Sequence, residues 1–450
     1  MYKSTTAHVS TSQSADRRNG MMELSALSAR SRHFANLLLP LGNIGMRGAG
    51  LVGRFALTLY FAKHFELSEI GSFGLIAGMA GLLPSLIGCG VNYFLNREIV
   101  GADPLRAGTL LRDRLALTVT MLLLAGLAFG AAHAAGIVQA PASLGLLAFI
   151  LAGECIAFDV HMSLIGLRMP VAANFLLFVR SASWIFPVLV LGTIWPQLRN
   201  LGFVFESWAG GVIASFIFLA VLLRAWPFAA ISRTRIDFAW IGRTVRRGWL
   251  IYLSDLGIGG QLYLERYVVN DLLGLKLTGV YTLYWTMANA VHVLVTVGVV
   301  QVALPDLVEA HRGANKFEWR RAFLQATGRM VAITIPLCVA CGVVVLKVLP
   351  RLGIEQFALS PSLFCLMLVG VAIRLLSDMA SFGLYSRNLD TEFAVMNIVG
   401  IVVSLALSVM LIARYGLIGA GVGMIAHALL MLTMRSFFLV RSYRRQEKPS

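Results

Sequence analysis

Apolar residues along this chain run in long blocks rather than alternating, and short polar or charged stretches separate the blocks. Twelve blocks are long enough to cross a hydrocarbon core of about 30 Å at about 1.5 Å of rise per residue. They cover residues 39–61, 70–92, 115–136, 143–166, 171–194, 201–223, 248–270, 277–303, 328–349, 361–385, 393–413 and 417–440. A helix satisfies its own backbone within one segment, whereas barrel strands would show a two-residue alternation. The pattern predicts an all-α integral membrane protein with about 12 transmembrane helices.

Residues 1–35 are polar, rich in Ser and Arg, and lack an apolar signal-peptide core, so they are expected to be a disordered cytoplasmic tail. The longest connector, 225–247, is basic and falls mid-chain. It predicts an N-terminal six-helix lobe over 36–224, a cytoplasmic linker over 225–247, a C-terminal six-helix lobe over 248–440 and a second cytoplasmic tail over 441–450. The halves overlay at an offset of 208 residues, HFELSEIGSFGLIAGM (64–79) on LLGLKLTGVYTLYWTM (272–287). Leu67/Leu275, Gly71/Gly279, Leu75/Leu283 and Met79/Met287 coincide, and Phe73 falls on Tyr281. This register predicts a parallel internal repeat, two similar bundles related by an axis along the membrane normal.

Composition agrees: 58% of the 450 residues are hydrophobic, 13% are charged, and the mean hydropathy is +0.77, against roughly 45–50% and about 25% in soluble domains. The connectors leave no room for a folded soluble domain, which excludes chemistry in an appended globular part. The net charge of +16 comes from anchoring rather than from nucleic acid, and no nucleic-acid partner is expected. With both termini cytoplasmic, the inner connectors hold 26 Lys and Arg against six outside, which sets the orientation. No Lys ends a phosphate-binding G-x-x-x-x-G-K-[ST] string, no D-x-D pair occurs, and no His/Cys/acid cluster has metal spacing. The G-x-G-x-x-G of residues 48–53 sits inside an apolar block with no preceding strand, so it is not a dinucleotide site. Cys338 and Cys341 form a C-x-x-C within an apolar block and are expected to be packed thiols. These absences predict a secondary transporter rather than an enzyme, with no cofactor.

Charges inside the membrane are costly and usually face a cavity. Arg47, Arg54, Arg180, Arg266, Arg374 and Arg435 fall inside blocks. At about 2.5–3.5 kcal/mol each on the insertion scale, a purely structural protein gains little by carrying them. Arg435 lies near the cytoplasmic interface and is expected to reach it along its own stem. The others predict an anion-receiving cavity, because a guanidinium fork suits phosphate oxygens. Acidic residues in the blocks are Glu154, Asp159, Glu206, Asp255, Glu265 and Asp378. Arg374 and Asp378, four residues apart, are spaced for a within-helix ion pair. Glu154 and His161 share a helical face, as a proton relay or a packing pair. Glu206 and Glu265 lie near outer ends, where water reaches them.

The stretches FALTLYFAKHFELSEIGSFGLIAGMAGLLPSLIGCGVNYFLNREIV (55–100) and GVYTLYWTMANAVHVLVTVGVVQVALPDLVEA (279–310), with the twelve blocks and charged first and seventh helices, resemble the polysaccharide-transporter family. These are the O-antigen and exopolysaccharide flippases of the multidrug/oligosaccharidyl-lipid/polysaccharide (MOP) exporter superfamily. The resemblance implies the MOP-type flippase fold, a V-shaped pair of lobes alternating between inward-open and outward-open states in the bacterial inner membrane. It implies a cargo of undecaprenyl-diphosphate-linked oligosaccharide, and the intramembrane arginines Arg47, Arg54, Arg180, Arg266 and Arg374 are the residues expected to hold its diphosphate or acidic sugars. It also implies coupling to a proton or sodium gradient, with Glu154, Asp159, Asp255 and Asp378 as candidates, and contact with other polysaccharide-assembly membrane proteins. Other readings are a drug or metabolite antiporter of the same superfamily, a peptidoglycan-precursor flippase and a non-transporting assembly scaffold.

Overall fold

A computed structural model describes residues 45–46, 48–136, 143–312, 316–387 and 389–445. The expected tail over 1–35 and Arg47 lie outside the described residues. In chain order the helices are α1 (residues 48–64), α2 (Leu67–Gly88), α3 (Val91–Glu98), α4 (Pro104–Ala134), α5 (Leu144–Gly166), α6 (Pro170–Ile194), α7 (Leu201–Leu222) and α8 (Phe228–Arg233). They continue with α9 (Phe238–Tyr263), α10 (Glu265–Leu273), α11 (Leu275–Arg312), α12 (Phe317–Arg351), α13 (Pro361–Ser386), α14 (Asp390–Tyr415) and α15 (Leu417–Arg445). Among the described residues ten helices are long and apolar enough to cross a membrane: α2, α4 to α7 and α11 to α15. The chain is therefore a multi-pass membrane protein. The two remaining predicted blocks, 39–61 and 248–270, fall on α1 and on the broken pair α9 and α10.

Helix starts follow local chemistry. The Asp103 carboxylate accepts from the amides of Leu105 and Arg106, both at 2.9 Å, ahead of a proline at the first helical position. Asn200 caps α7 through Phe203 N at 2.9 Å. Asp237 caps α9 through Trp240 N at 2.7 Å, which starts that helix ten residues before the predicted block; residues 238–247, expected in the linker, are its first turns.

The rest of the connector is docked on the first half of the chain. The Arg112 guanidinium donates to the carbonyls of Ile231 (2.7 Å), Thr234 (2.6 Å) and Arg235 (2.9 Å) and pairs with Asp113. Trp240 Nε1 donates to Glu98 at 2.9 Å. Elsewhere large apolar side chains such as Leu127 on α4 and Ile335 on α12 project outward, a surface that suits lipid.

The two halves meet where α2 crosses α11. A β-carbon on Gly71 would lie 2.2 Å from the Leu275 carbonyl oxygen, and one on Gly279 would lie 1.9 Å from the Leu67 carbonyl oxygen. Gly71 meets Leu275 and Gly279 meets Leu67, so the two pairs matched at the offset of 208 touch crosswise and the overlaid segments pack against each other. Beside it Gln356 Nε2 donates to the Phe65 carbonyl at 2.9 Å. Overpacking commonly costs about 1–3 kcal/mol, and here the obstacle is backbone, which does not swing aside. Gly279→Ala is expected to lower the thermal unfolding midpoint in detergent clearly, whereas Gly298→Ala, with no heavy atom within 4 Å of the added carbon, leaves it in place.

Candidate functional site

The first cavity, of about 400 Å³, is lined from both halves of the chain: Arg54 and Phe61 from α1, Gly74 from α2, Glu154 and Phe158 from α5, Arg180 and Trp184 from α6, Trp208 from α7, Arg266 from α10, and Trp285 and Asn289 from α11. Three of the five arginines predicted to bind cargo thus converge, although they come from widely separated segments.

Each is held differently. Arg180 lies on a π-helical turn, Val179–Ser183, which swells the helix by a residue and turns the side chain inward. Its Nη1 contacts Glu154 Oε2 at 2.9 Å and the Glu154 carbonyl at 2.8 Å. Trp208 Nε1 donates to Glu154 Oε1 at 2.9 Å and stacks on Trp184 with ring centroids 5.2 Å apart. Both members of the Arg180–Glu154 pair are buried. His161, seven residues along the same helix, meets the Ala173 carbonyl at 2.8 Å.

Arg266 is 4% exposed. Its Nη1 donates to the Gly74 carbonyl at 2.8 Å, and its guanidinium carbon lies 4.6 Å from the Trp285 ring centroid and 5.5 Å from that of Tyr263. Its Nε and Nη2 have no hydrogen-bond partner among the described residues. Room for it exists because position 78 is glycine: a β-carbon there would stand 2.7 Å from Arg266 Cδ. Arg54 is exposed to the cavity, and its guanidinium makes no hydrogen bond or ion pair with a described residue. A cavity with three guanidinium groups and one carboxylate, that carboxylate already paired, attracts anions.

Arg374 stands apart, and the expectation of a single five-arginine cluster is corrected. It lines a second cavity, of about 310 Å³, formed by α9, α10, α11, α13, α14 and α15. It also makes no ion pair with Asp378, four residues along the same helix. Asp378 pairs instead with Arg435 Nη1 at 3.0 Å and with His292 Nε2 at 2.7 Å. Arg435 does not reach for the interface: it is 7% exposed and also donates to Ser377 at 2.9 Å and Asn397 at 3.3 Å. Two partners on other helices, His292 and Arg435, hold Asp378 in place of Arg374 on its own helix.

The remaining candidate acids separate by partner. Asp159 is buried against Arg114 at 2.7 Å, with Asn92 at 3.0 Å and the Thr118 hydroxyl also donating. Arg114, read from the sequence as a connector residue, is fully buried inside α4. Asp255 on α9 is exposed and has no hydrogen bond or ion pair with a described residue. Glu206 is exposed as expected. Glu265 opens α10 and, instead of facing bulk water, lines the second cavity and accepts from the Tyr281 hydroxyl at 2.9 Å.

The sequence reading passed over Glu265, His427 and Arg435 as site residues. The signal was present on α15, where Gly423, His427, Met431 and Arg435 recur every four residues and form one stripe facing the second cavity.

The fold, rather than the sequence, is where the chain is similar to known proteins. No protein-family model and no curated protein matches the chain by sequence. Solved structures match along most of its length. The lipid II flippase MurJ in an inward closed conformation aligns with a TM-score of 0.67 at 12% identity, over 90% of this chain and 89% of that one. A multidrug resistance MATE family transporter of the MOP superfamily, inward-facing, aligns with a TM-score of 0.65 at 15% identity, over 88% of this chain and 96% of that one. An outward-facing form of a multidrug resistance MATE family transporter gives 0.54 at 16% identity, over 91% and 96%. At these identities the likeness is one of fold.

Removing one partner of a buried ion pair typically costs about 3–5 kcal/mol, because the other charge stays buried. Arg180→Leu should therefore lower unfolding stability by about that much, and the double change Arg180→Leu with Glu154→Gln should restore most of it. Thermal unfolding of the purified variants reads both.

Proposed function

We propose that the protein is a flippase of the polysaccharide-transporter kind, moving an undecaprenyl-diphosphate-linked oligosaccharide repeat unit across the bacterial inner membrane for exopolysaccharide, capsule or O-antigen assembly. The observation that carries this reading is the first cavity, where Arg54, Arg180 and Arg266 face a space with one carboxylate. A diphosphate needs donors and positive charge in a low-dielectric site, and guanidinium groups supply both. The aromatic walls from Phe61, Phe73, Trp184 and Trp285 suit the apolar faces of sugar rings or the start of the prenyl chain. In this reading twelve spans form two six-helix lobes with both termini cytoplasmic, and the lobes rock about the α2/α11 contact.

Coupling to an ion gradient needs a carboxylate free to exchange its cation. Glu154, Asp159 and Asp378 are each held by an arginine, so we place coupling on Asp255, which has no such partner among the described residues. Asp255→Asn is expected to abolish gradient-driven transport in proteoliposomes, and Asp255→Glu to retain part of it. Equal transport by Asp255→Asn and the parent protein would move coupling elsewhere.

The fold shared with MurJ favours one second reading, a lipid II flippase. Depletion separates the two: arrest of growth with loss of cell-wall synthesis supports the second, and viable cells lacking surface polysaccharide support the first. A cation-expelling drug antiporter fits the arginine-lined cavity poorly, since like charges repel.

The decisive test uses a deletion strain. Lipid-linked glycan in sealed spheroplasts should accumulate out of reach of an external lectin and become reachable when the wild-type gene is restored. Arg54→Ala and Arg266→Ala should behave as the deletion does, with Arg54→Ala at normal protein abundance. Glycan already exposed in the deletion strain would overturn the flippase reading.

A further inference from the structure

The second cavity carries groups that the diphosphate reading does not use. It lies among α9, α10, α11, α13, α14 and α15 and is separated from the first cavity by Trp285, which lines both. Glu265 and Arg266 are neighbours across the start of α10, and about 100° of helical rotation sends them to different cavities, Glu265 to the second and Arg266 to the first.

Four of the residues lining it each carry a buried polar atom with no hydrogen-bond partner among the described residues: Glu265 Oε1, Ser381 Oγ, His427 Nε2 and Arg435 Nε. Ser381 and Arg435 are 7% exposed each. Arg374 adds a guanidinium with no ion pair to a described residue. Native structures leave few such atoms unmatched, and a group of them around one space points to a ligand that matches them.

Their chemistry is selective. Glu265 Oε1 can only accept while ionised, Arg435 Nε and the Arg374 fork can only donate, and Ser381 and His427 can do either. A phosphate, which only accepts, would face the Glu265 carboxylate. A metal cation would face Arg374 and Arg435. A ligand dense in hydroxyl groups, each both donor and acceptor, answers all of them. Trp285, Phe382 and Phe393 on the walls offer faces to the C–H surfaces of a sugar ring. A volume of about 310 Å³ lies at the low end of small-molecule sites, about 300–1,000 Å³.

We propose that this second cavity is a saccharide subsite, holding a sugar unit of the cargo while its diphosphate stays with Arg54 and Arg266 beyond Trp285. The assignment rests on the flippase reading for its source of sugar, but it makes a separate claim about binding.

Isothermal titration of the full-length protein in detergent tests it with two probes: the reducing glycan released by mild acid from the host's own lipid-linked pool, and inorganic pyrophosphate. A β-carbon at Gly423 has room, 3.7 Å from Leu411 and 4.0 Å from Glu265 Oε1, so Gly423→Leu fills the cavity from its wall. It should weaken glycan binding by about tenfold or more and leave pyrophosphate affinity within about twofold. Glu265→Gln, nearly isosteric, should weaken glycan binding in the same direction by a smaller factor. Arg54→Ala should show the converse, losing pyrophosphate and keeping glycan. Unchanged pyrophosphate affinity certifies the fold of each second-cavity variant.

Glycan affinity that ignores both second-cavity substitutions, or no glycan binding by the parent protein, overturns the subsite; the cavity then holds solvent only. Binding is measured without transport, so these results stand whatever the spheroplast assay returns. Sheltered glycan in the deletion strain together with a failed titration removes the subsite and keeps the flippase, and exposed glycan with a successful titration does the reverse.

Discussion

The architecture depends on one helix crossing at which two backbones touch. Gly71 and Gly279 leave no side chain between α2 and α11, so each helix rests on the other's carbonyl oxygens near Leu275 and Leu67. Further along α2, Gly74 meets Thr282, Gly78 meets Arg266 and Gly81 meets Tyr263. The partners grow from a hydrogen atom to an aromatic ring within three turns. A helix bearing only glycine on that face keeps close packing while the opposing side chains widen the gap into the first cavity. Contact at one end and space beyond it are thus products of one stripe of small residues.

Arginine burial is the second constraint, and the molecule meets it in more than one way. Arg114 and Arg180 are matched by a carboxylate each, and Arg435 shares Asp378 with His292. Arg266 leans on two aromatic rings and one carbonyl. Arg54 and Arg374 are left facing cavities. Arg114, Arg180 and Arg435 tie helices together through carboxylates while each keeps one nitrogen without a hydrogen-bond partner among the described residues, whereas Arg54 and Arg374 make no ion pair with a described residue. Residue type alone does not separate these roles; the partners do.

Much of this was legible in the chain. Apolar block lengths located the ten helices that are long and apolar enough to cross a membrane, because backbone satisfaction in lipid leaves few alternatives. The 208-residue offset was read as a repeat; that the overlaid segments pack against each other at Gly71 and Gly279 came from the structure. What stayed hidden was helix rotation. Hydropathy does not say that Arg374 and Arg180 face separate cavities, that Arg435 turns toward Asp378, or that α4 buries Arg114. The π-helical turn at Arg180 is equally silent, being an insertion in phase rather than in composition. For α15 the four-residue recurrence of Gly423, His427, Met431 and Arg435 was available, and only attention to polar periodicity was needed to find it.

The docking of the connector changes where the chain bends. Arg112 fastens the carbonyls of Ile231, Thr234 and Arg235 to the first half, and Glu98 holds Trp240. A loop pinned in this way is structurally part of the half it lies on. A covalent cut between residues 224 and 230 would leave the stretch from Ile231 to Trp240 still held by Arg112 and Glu98.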